Sequence, residues 1–480
     1  MILYILEILS RQSYKKALPR YTNLKIKFFN YLLLSHKKTN QRVNRKILNL
    51  AIPNIISNIT IPLLGIVDLT MMGHLGNEVF IGAIALGGMI FNFIYWGFSF
   101  LRMGTSGFTA QAYGEENQKE SISILSRALL VGILGSLLLI IMQFPIEKFS
   151  FWMISGSEEV ERYAASYFYI RIWAAPATIS LYAFTGWFIG MQNARTPMIV
   201  AIVVNVLNLL FNLLFVFVFD MKSDGVAWGT VLAQYCGLIL AIFMLRKHYS
   251  QYFKFWEKKA MLEMKAMKAF FMVNKDIFIR TLALIFTLSF FTSKSAEAND
   301  TILAINTILF QFFIFFSYFV DGFANAGEAL AGRFIGAKDK QSLVRSTRLI
   351  FYWATGVSLF FVLLNSLGGK FVLQIMTSNH EIIDGAMPYM IWIIIVPVVS
   401  FVAFIWDGIY IGATVSTHLR NSILIALAIF LAVYYFTTDL LGNHGLWLAF
   451  ICFLGIRGIY LSMFAKRSIF NRIEGRGDAV

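Results

Sequence analysis

The chain has 480 residues, of which 58% are hydrophobic and only 14% charged. A soluble domain carries about 25% charged and 45–50% apolar residues, so this composition excludes a single water-soluble core and makes lipid the solvent. The net charge of +15 would suggest nucleic acid in a soluble protein. Here the basic residues gather between apolar runs, where they orient a chain in a membrane, and no nucleic-acid partner is expected.

Residues 1–43 are a basic extension (Arg11, Lys15, Lys16, Arg20, Lys25, Lys27, Lys37, Lys38) with short apolar patches. They show no apolar core followed by a small-residue cleavage site, so they do not read as a signal peptide. They read as an amphipathic cytoplasmic arm or as an extension upstream of the native start. Apolar stretches of about 20 residues then recur, each long enough to cross a bilayer as a helix. They lie near 47–71, 80–105, 123–145, 160–185, 198–219, 225–245, 277–293, 301–326, 347–367, 386–410, 421–438 and 445–465. Lipid offers backbone groups no hydrogen-bond partner, so these spans are predicted as helices, and they lack the alternation of barrel strands.

Connections after even-numbered spans hold about twenty Lys and Arg, against about five on the other side, which places both termini in the cytoplasm. The chain also repeats itself. A shift of 222 positions superposes Asn77 on Asn299, Gly114 on Gly336, Tyr167 on Tyr389, Gly186 on Gly408 and Gly190 on Gly412. Each half then holds an even number of spans and both point the same way, a transporter architecture with its site at the interface of the halves. The plan is a six-helix half at 44–245, a basic cytoplasmic linker at 246–275, a second half at 276–466 and a tail at 467–480.

No G-x-x-x-x-G-K-S/T, H-E-x-x-H or G-x-S-x-G pattern occurs, so no enzyme and no cofactor are expected. The two cysteines, Cys236 and Cys452, lie in apolar runs and read as packing residues rather than a disulfide or metal pair. Attention falls instead on ionisable residues inside spans, which are costly and by default functional. Asp68 lies near the outer end of span one, and its repeat partner is Phe290. A carboxyl in low-dielectric surroundings can carry a proton; the plainer alternative is a helix cap or contact with interfacial water. Asp321 and Glu328 in span eight are seven residues apart, so they share a face. Glu328 and Asp407 are expected to pair with Arg333 or Arg420, while Asp321 lies deeper. Arg102, Arg171 and Arg280 are expected to partner a buried carboxylate or line a wet cavity. Asn205, Asn208 and Asn212 fall on one face of span five, as interhelical glue or as the lining of an ion site, with Thr230 of span six as a candidate neighbour. Pro53 and Pro62 in span one invite a kink.

The run Val67-Asp68-Leu69-Thr70-Met71-Met72-Gly73-His74-Leu75-Gly76, then Arg102-Met103-Gly104-Thr105-Ser106-Gly107 and Ala110-Gln111-Ala112-Tyr113-Gly114, resembles the multidrug and toxic compound extrusion (MATE) family, most of all its DinF-like branch. Asp321-Gly322-Phe323-Ala324, Asp407-Gly408-Ile409-Tyr410-Ile411-Gly412-Ala413-Thr414 and Leu441-Gly442-Asn443-His444 extend the likeness into the second half. The resemblance implies an all-α integral membrane protein, with twelve transmembrane helices in two parallel six-helix repeats around a central cavity. It implies a secondary antiporter that exports cationic or amphipathic organic compounds in exchange for H⁺ or Na⁺. It assigns the proton site to Asp68, its neighbours to Asn208, Asn212 and Thr230, and helix bending to Pro53; Asp321, Glu328 and Asp407 are second-half candidates. The chain departs from the family's pattern at Asn212, usually Asp, which favours H⁺ over Na⁺, and at Val415, often Arg. The expected setting is a bacterial inner membrane, as a monomer whose partners are a small organic substrate and lipid. A lipid-linked saccharide flippase is the alternative reading.

Overall fold

The computed structural model describes residues 40–60, 78–154, 156–471 and 473. The chain divides into two units, residues 1–46 and 47–480. In the first, the described residues 40–46 are helical. The second unit is the membrane body. No strand occurs among its described residues, as expected where each backbone polar group must find its partner within its own segment.

The body opens with helical residues 47–60, α1. Among the described residues eleven further helices are long and apolar enough to cross a bilayer: α2 Val79–Gly114, α3 Gln118–Ile141, α4 Glu158–Gly190, α5 Arg195–Val218, α6 Lys222–Phe255, α7 Lys258–Ala298, α8 Asp300–Gly336, α9 Lys340–Met376, α10 His380–Gly412, α11 Ser416–Leu441 and α12 Asn443–Phe470. The predicted spans two to twelve therefore all appear. Pro62 and Asp68 of the first predicted span lie outside the described residues.

The halves pack alike. α2, α3 and α4 pack together, as do α8, α9 and α10; α6 covers α4 and α5, as α12 covers α10 and α11. The correspondence holds atom by atom. A methyl group on Gly186 of α4 would collide with the Arg102 carbonyl of α2, and one on Gly408 of α10 would collide with the Ala324 carbonyl of α8, 222 positions later in both partners. Gly190 and Gly412 repeat the relation against the carbonyls of Ser106 and Glu328. Across the halves, Gly114 meets the Arg333 carbonyl and Gly336 meets the Gln111 carbonyl, again exchanged by the repeat. Only a residue without Cβ lets the backbones approach this closely.

Helix ends obey the same symmetry. Glu116 and Lys338 both take left-handed backbone at φ 55°, and the next residue caps the following helix: Asn117 accepts from the Glu120 N–H at 3.0 Å and Asp339 from the Ser342 N–H at 2.9 Å. Gln192 and Thr414 are likewise left-handed, at φ 62° and 54°. Each donates or accepts a bond across the seam: Gln192 Nε2 donates to the Ala329 carbonyl at 2.7 Å, and Thr414 Oγ1 accepts from Gln111 Nε2 at 3.1 Å. The two halves are thus closed on one another where α2, α4, α8 and α10 end.

The segment assigned to the linker has regular structure of its own. Residues 246–275 are mostly helical: Lys222–Tyr249 continues into the 3₁₀ turn Ser250–Phe255, and Lys258–Met261 leads into Met264–Ala298. Lysine, arginine and methionine are good helix formers, so the apolar pattern stops at the membrane surface while the helix does not. Buried Arg127 of α3 pins this segment by donating to the carbonyls of Ala260 at 2.8 Å and Met261 at 3.2 Å while pairing with Glu120 at 2.7 Å.

The glycine contacts carry a prediction. Gly408→Ala should lower thermal stability in detergent, costing about 1–3 kcal/mol as an overpacked helix crossing. Gly356→Ala on α9, whose Cβ would meet nothing within 4 Å, should leave the melting temperature unchanged or slightly raised. Equal effects at the two sites would contradict the close-approach account.

Candidate functional site

A cavity of about 520 Å³ opens within the first half, in the size range of small-molecule sites. Its wall is mixed. Leu181, Val200 and Val204 give apolar surface, Asn54 and Asn58 of α1 and Gln234 of α6 give amides, and Arg102, Arg171 and Asp321 give charge. Asp321 comes from α8, so the second half closes the chamber of the first. Asn58 Nδ2 crosses the same boundary to the Tyr318 carbonyl at 3.3 Å.

A chain of amides adjoins the wall through Thr230. Asn212 Nδ2 donates to Asn208 Oδ1 at 3.2 Å, Asn208 Nδ2 donates to Thr230 Oγ1 at 3.0 Å, and Thr230 donates to its own i−4 carbonyl, Val226, at 3.0 Å. Asn208 and Asn212 are buried. Gly229 faces Asn212 so closely that a Cβ there would strike its side chain. Asn205, a turn away, serves α1 instead, donating to the Thr60 carbonyl at 3.2 Å. The structure therefore brings Asn208, Asn212 and Thr230 together, as anticipated. Pro53 sits in unbroken helix, buried, and its carbonyl accepts from Ser57 Oγ at 2.9 Å. Asp68 lies outside the described residues.

The charges are partnered differently from expectation. Glu328, 1% exposed, pairs with Arg102 at 3.8 Å rather than with Arg333, and Arg102 also donates to Asn325 Oδ1 at 3.4 Å. Arg333 lies over the rings of Tyr113 and Phe334. Asp407 is clamped by Arg280, at 2.5 Å, and by Arg457. Arg420 is taken by Asp276 at 2.7 Å, and Asp276 also accepts from Ser416 Oγ at 2.9 Å. The reason is packing between helices distant in sequence: Glu328 meets the arginine of α2, and Asp407 meets those of α7 and α12. Arg102 and Arg280 do partner buried carboxylates, and Arg171 lines the cavity. Asp276 and Arg457 escaped the sequence reading. Asp276 falls at the first position of the second half, one residue before the seventh predicted span, and so was not weighed as an intramembrane charge; Arg457, a charge inside the twelfth predicted span, carried the signal that singles it out.

Arg171 owes its place to a break in α4. Pro176 has no N–H for the Ile172 carbonyl, which accepts from Ala175 instead, forming the 3₁₀ turn Ile172–Ala174. Arg171 closes the helical segment before that turn. Its guanidinium donates to the Tyr167 hydroxyl and lies 4.9 Å from the centre of the Phe91 ring.

A twinned bundle with a chamber walled by both halves is the architecture of a secondary transporter, and comparison with known proteins agrees. The MatE family model matches residues 53–214 and 278–436; the chain belongs to this family, the MATE transporters. It is 35% identical over 419 residues to DNA damage-inducible protein F of Escherichia coli, covering 87% of this chain and 91% of that one. It is 24% identical over 356 residues to Protein DETOXIFICATION 42 of Arabidopsis thaliana, covering 71% and 65% of the two chains. Its fold matches the Vibrio cholerae MATE transporter VcmN in the bent form with a TM-score of 0.81 at 17% identity, over 92% of this chain and all of that one.

The clamp on Asp407 is testable. Removing one partner of a buried ion pair costs about 3–5 kcal/mol, so Asp407→Asn should sharply reduce the yield and thermal stability of purified protein. Asp407→Asn combined with Arg457→Met should recover much of the loss, because one of the two arginines left without the carboxylate is then removed as well. A double variant no better than the single would show that the cluster's charge balance is not what matters.

Proposed function

We propose that this MATE transporter is a proton-coupled antiporter that exports amphipathic organic compounds by alternating access, with Asp68 as the protonation site. The observation that supports it most is the mixed polar and apolar chamber in the first half, adjoining the chain Asn208–Asn212–Thr230 and walled by α1. In this reading Asp68 takes a proton from outside. Its neutralisation changes its bonds to α5 and α6 and lets the first span bend near Pro53. Bending disfavours the bound compound, which leaves; the protein turns inward and Asp68 releases its proton to the cytoplasm. Both termini lie in the cytoplasm, and the membrane is the bacterial inner membrane.

Protons are favoured over Na⁺ because the cluster Asn208–Asn212–Thr230 offers amide and hydroxyl oxygens but no carboxylate, and a tight Na⁺ site prefers carboxylate oxygens. The energy is adequate. One proton crossing 100 mV releases about 2.3 kcal/mol, and a tenfold gradient of a neutral compound requires about 1.4 kcal/mol, so one proton sustains roughly a fiftyfold gradient.

The experiment is efflux from proteoliposomes under an imposed pH gradient, wild type beside Asp68→Asn. The variant should insert and fold yet lose proton-coupled efflux altogether. Efflux at the wild-type rate from Asp68→Asn would remove that residue from the mechanism, and the same signal on a Na⁺ gradient alone would replace the coupling ion.

A further inference from the structure

The segment joining α6 to α7 differs from the helices on either side of it. It is pinned to α3: Arg127 holds the carbonyls of Ala260 and Met261, Trp256 Nε1 donates to Ser126 Oγ at 3.0 Å, and Lys119 pairs with Glu257 at 2.8 Å. Tyr249 and Tyr252 pack edge-on against the ring of Trp187, with centroids 4.9 and 6.1 Å away. What the pinned segment leaves exposed is of two kinds. Lys254, Lys258, Lys259, Lys265 and Lys268 are exposed, and among the described residues no carboxylate lies within 4.0 Å of any of them. Phe253, Phe255, Trp256, Leu262 and Met264 are interleaved with them and exposed as well, Met264 at 79%. Residues 1–39, outside the described range, hold eight Lys and Arg against Glu7, so their charge has the same sign.

The lysines keep this segment out of the hydrocarbon core, and its apolar side chains are costly to leave in bulk water. The boundary between head groups and acyl chains satisfies both, and a segment that mixes Lys with Trp, Phe and Leu is the composition that lies there. Position agrees. The segment joins the ends of two spans, and exposed Ile239 and Phe243 of α6 and Phe271 and Met272 of α7 border it on either side. Lysines without a carboxylate call for an anion, and phospholipid head groups supply one at this depth. We infer that residues 250–268 form an interfacial strap that binds anionic phospholipid. The five lysines take the head-group phosphates, and the exposed aromatic and aliphatic side chains lie among the first acyl carbons. This goes beyond the antiporter reading and shares only its orientation, which makes this the cytoplasmic leaflet. The strap is also the covalent link between the halves, so lipid composition bears directly on it.

The test is lipid retention by the purified full chain. Phosphatidylglycerol and phosphatidylcholine with identical acyl chains are added in detergent, and bound lipids are counted by native mass spectrometry. Wild type should retain phosphatidylglycerol at least about tenfold over phosphatidylcholine, since each lysine near an anionic surface is worth about fivefold, and the preference should fall as salt is raised. Lys254→Gln, Lys258→Gln, Lys259→Gln and Lys265→Gln together should lose most of it at an unchanged melting temperature, and the same four positions changed to Arg should keep it. A control removes four exposed basic residues elsewhere at the same end of the bundle, Arg195→Gln, Lys338→Gln, Arg348→Gln and Lys466→Gln. An equal loss in the control, or no loss in the strap variant, overturns the inference. Depth is read at Trp256. Phosphatidylglycerol brominated on its acyl chains should quench it, measured as the difference between wild type and Trp256→Phe; no quenching places the strap in water and also overturns the inference. Orientation is read separately in cells, with Lys259→Cys in a chain lacking Cys236 and Cys452. A maleimide that cannot cross the membrane should label it only after the membrane is opened; labelling from outside overturns the cytoplasmic orientation and leaves lipid binding standing.

Discussion

The close approach of backbone to backbone at paired glycines is the constraint on which the rest of this structure depends. Gly186 of α4 rests on the carbonyl of Arg102, and Gly412 of α10 rests on the carbonyl of Glu328. Those two residues form the ion pair that bridges the halves. Steric contact in lipid therefore positions charge. Without a hydrophobic force between helices, tight packing of small residues is what holds spans together, and here it fixes the depth and rotation of α2 and α8. Everything polar at the seam inherits that geometry.

Burying charge is tolerable only when it is balanced, and the two halves achieve this differently despite their shared backbone. Asn54 and Asn58 of α1 are neutral amides, whereas their repeat partners Asp276 and Arg280 of α7 are tied to Arg420 and Asp407. Thr185 lines the first-half chamber where the second half has Asp407 in its clamp. The second half is therefore cross-linked by ion pairs, while the corresponding positions of the first line a chamber. One scaffold duplicated in sequence thus supplies a set of ion-paired helices and a chamber, and Arg171 lines the chamber.

Much of this was legible in the residues alone. Twelve apolar stretches, their charge asymmetry and the 222-residue shift depend on local composition and on matching positions, and lipid enforces helix wherever the chain is apolar long enough. The amide chain was legible too, because Asn208 and Asn212 are one helical turn apart and that spacing alone puts them on one face. Helix ends at the water boundary were not: hydropathy reports where lipid stops, while Lys258 to Lys275 carry the helix beyond it. Ion-pair partners were misassigned for a related reason, since sequence distance from the basic end of a span says nothing about which neighbouring helix turns its arginine inward.

By itself, then, the sequence determined that this protein is a helical membrane protein with two like halves and a small set of costly polar residues, because those are consequences of the solvent and of local spacing. Which of these residues meet was decided only in three dimensions. Glu328 finds Arg102, Asp407 finds Arg280 and Arg457, and Arg171 faces a chamber, because glycine contacts between helices distant in sequence set the rotation of each span, and rotation chooses a buried charge's partner.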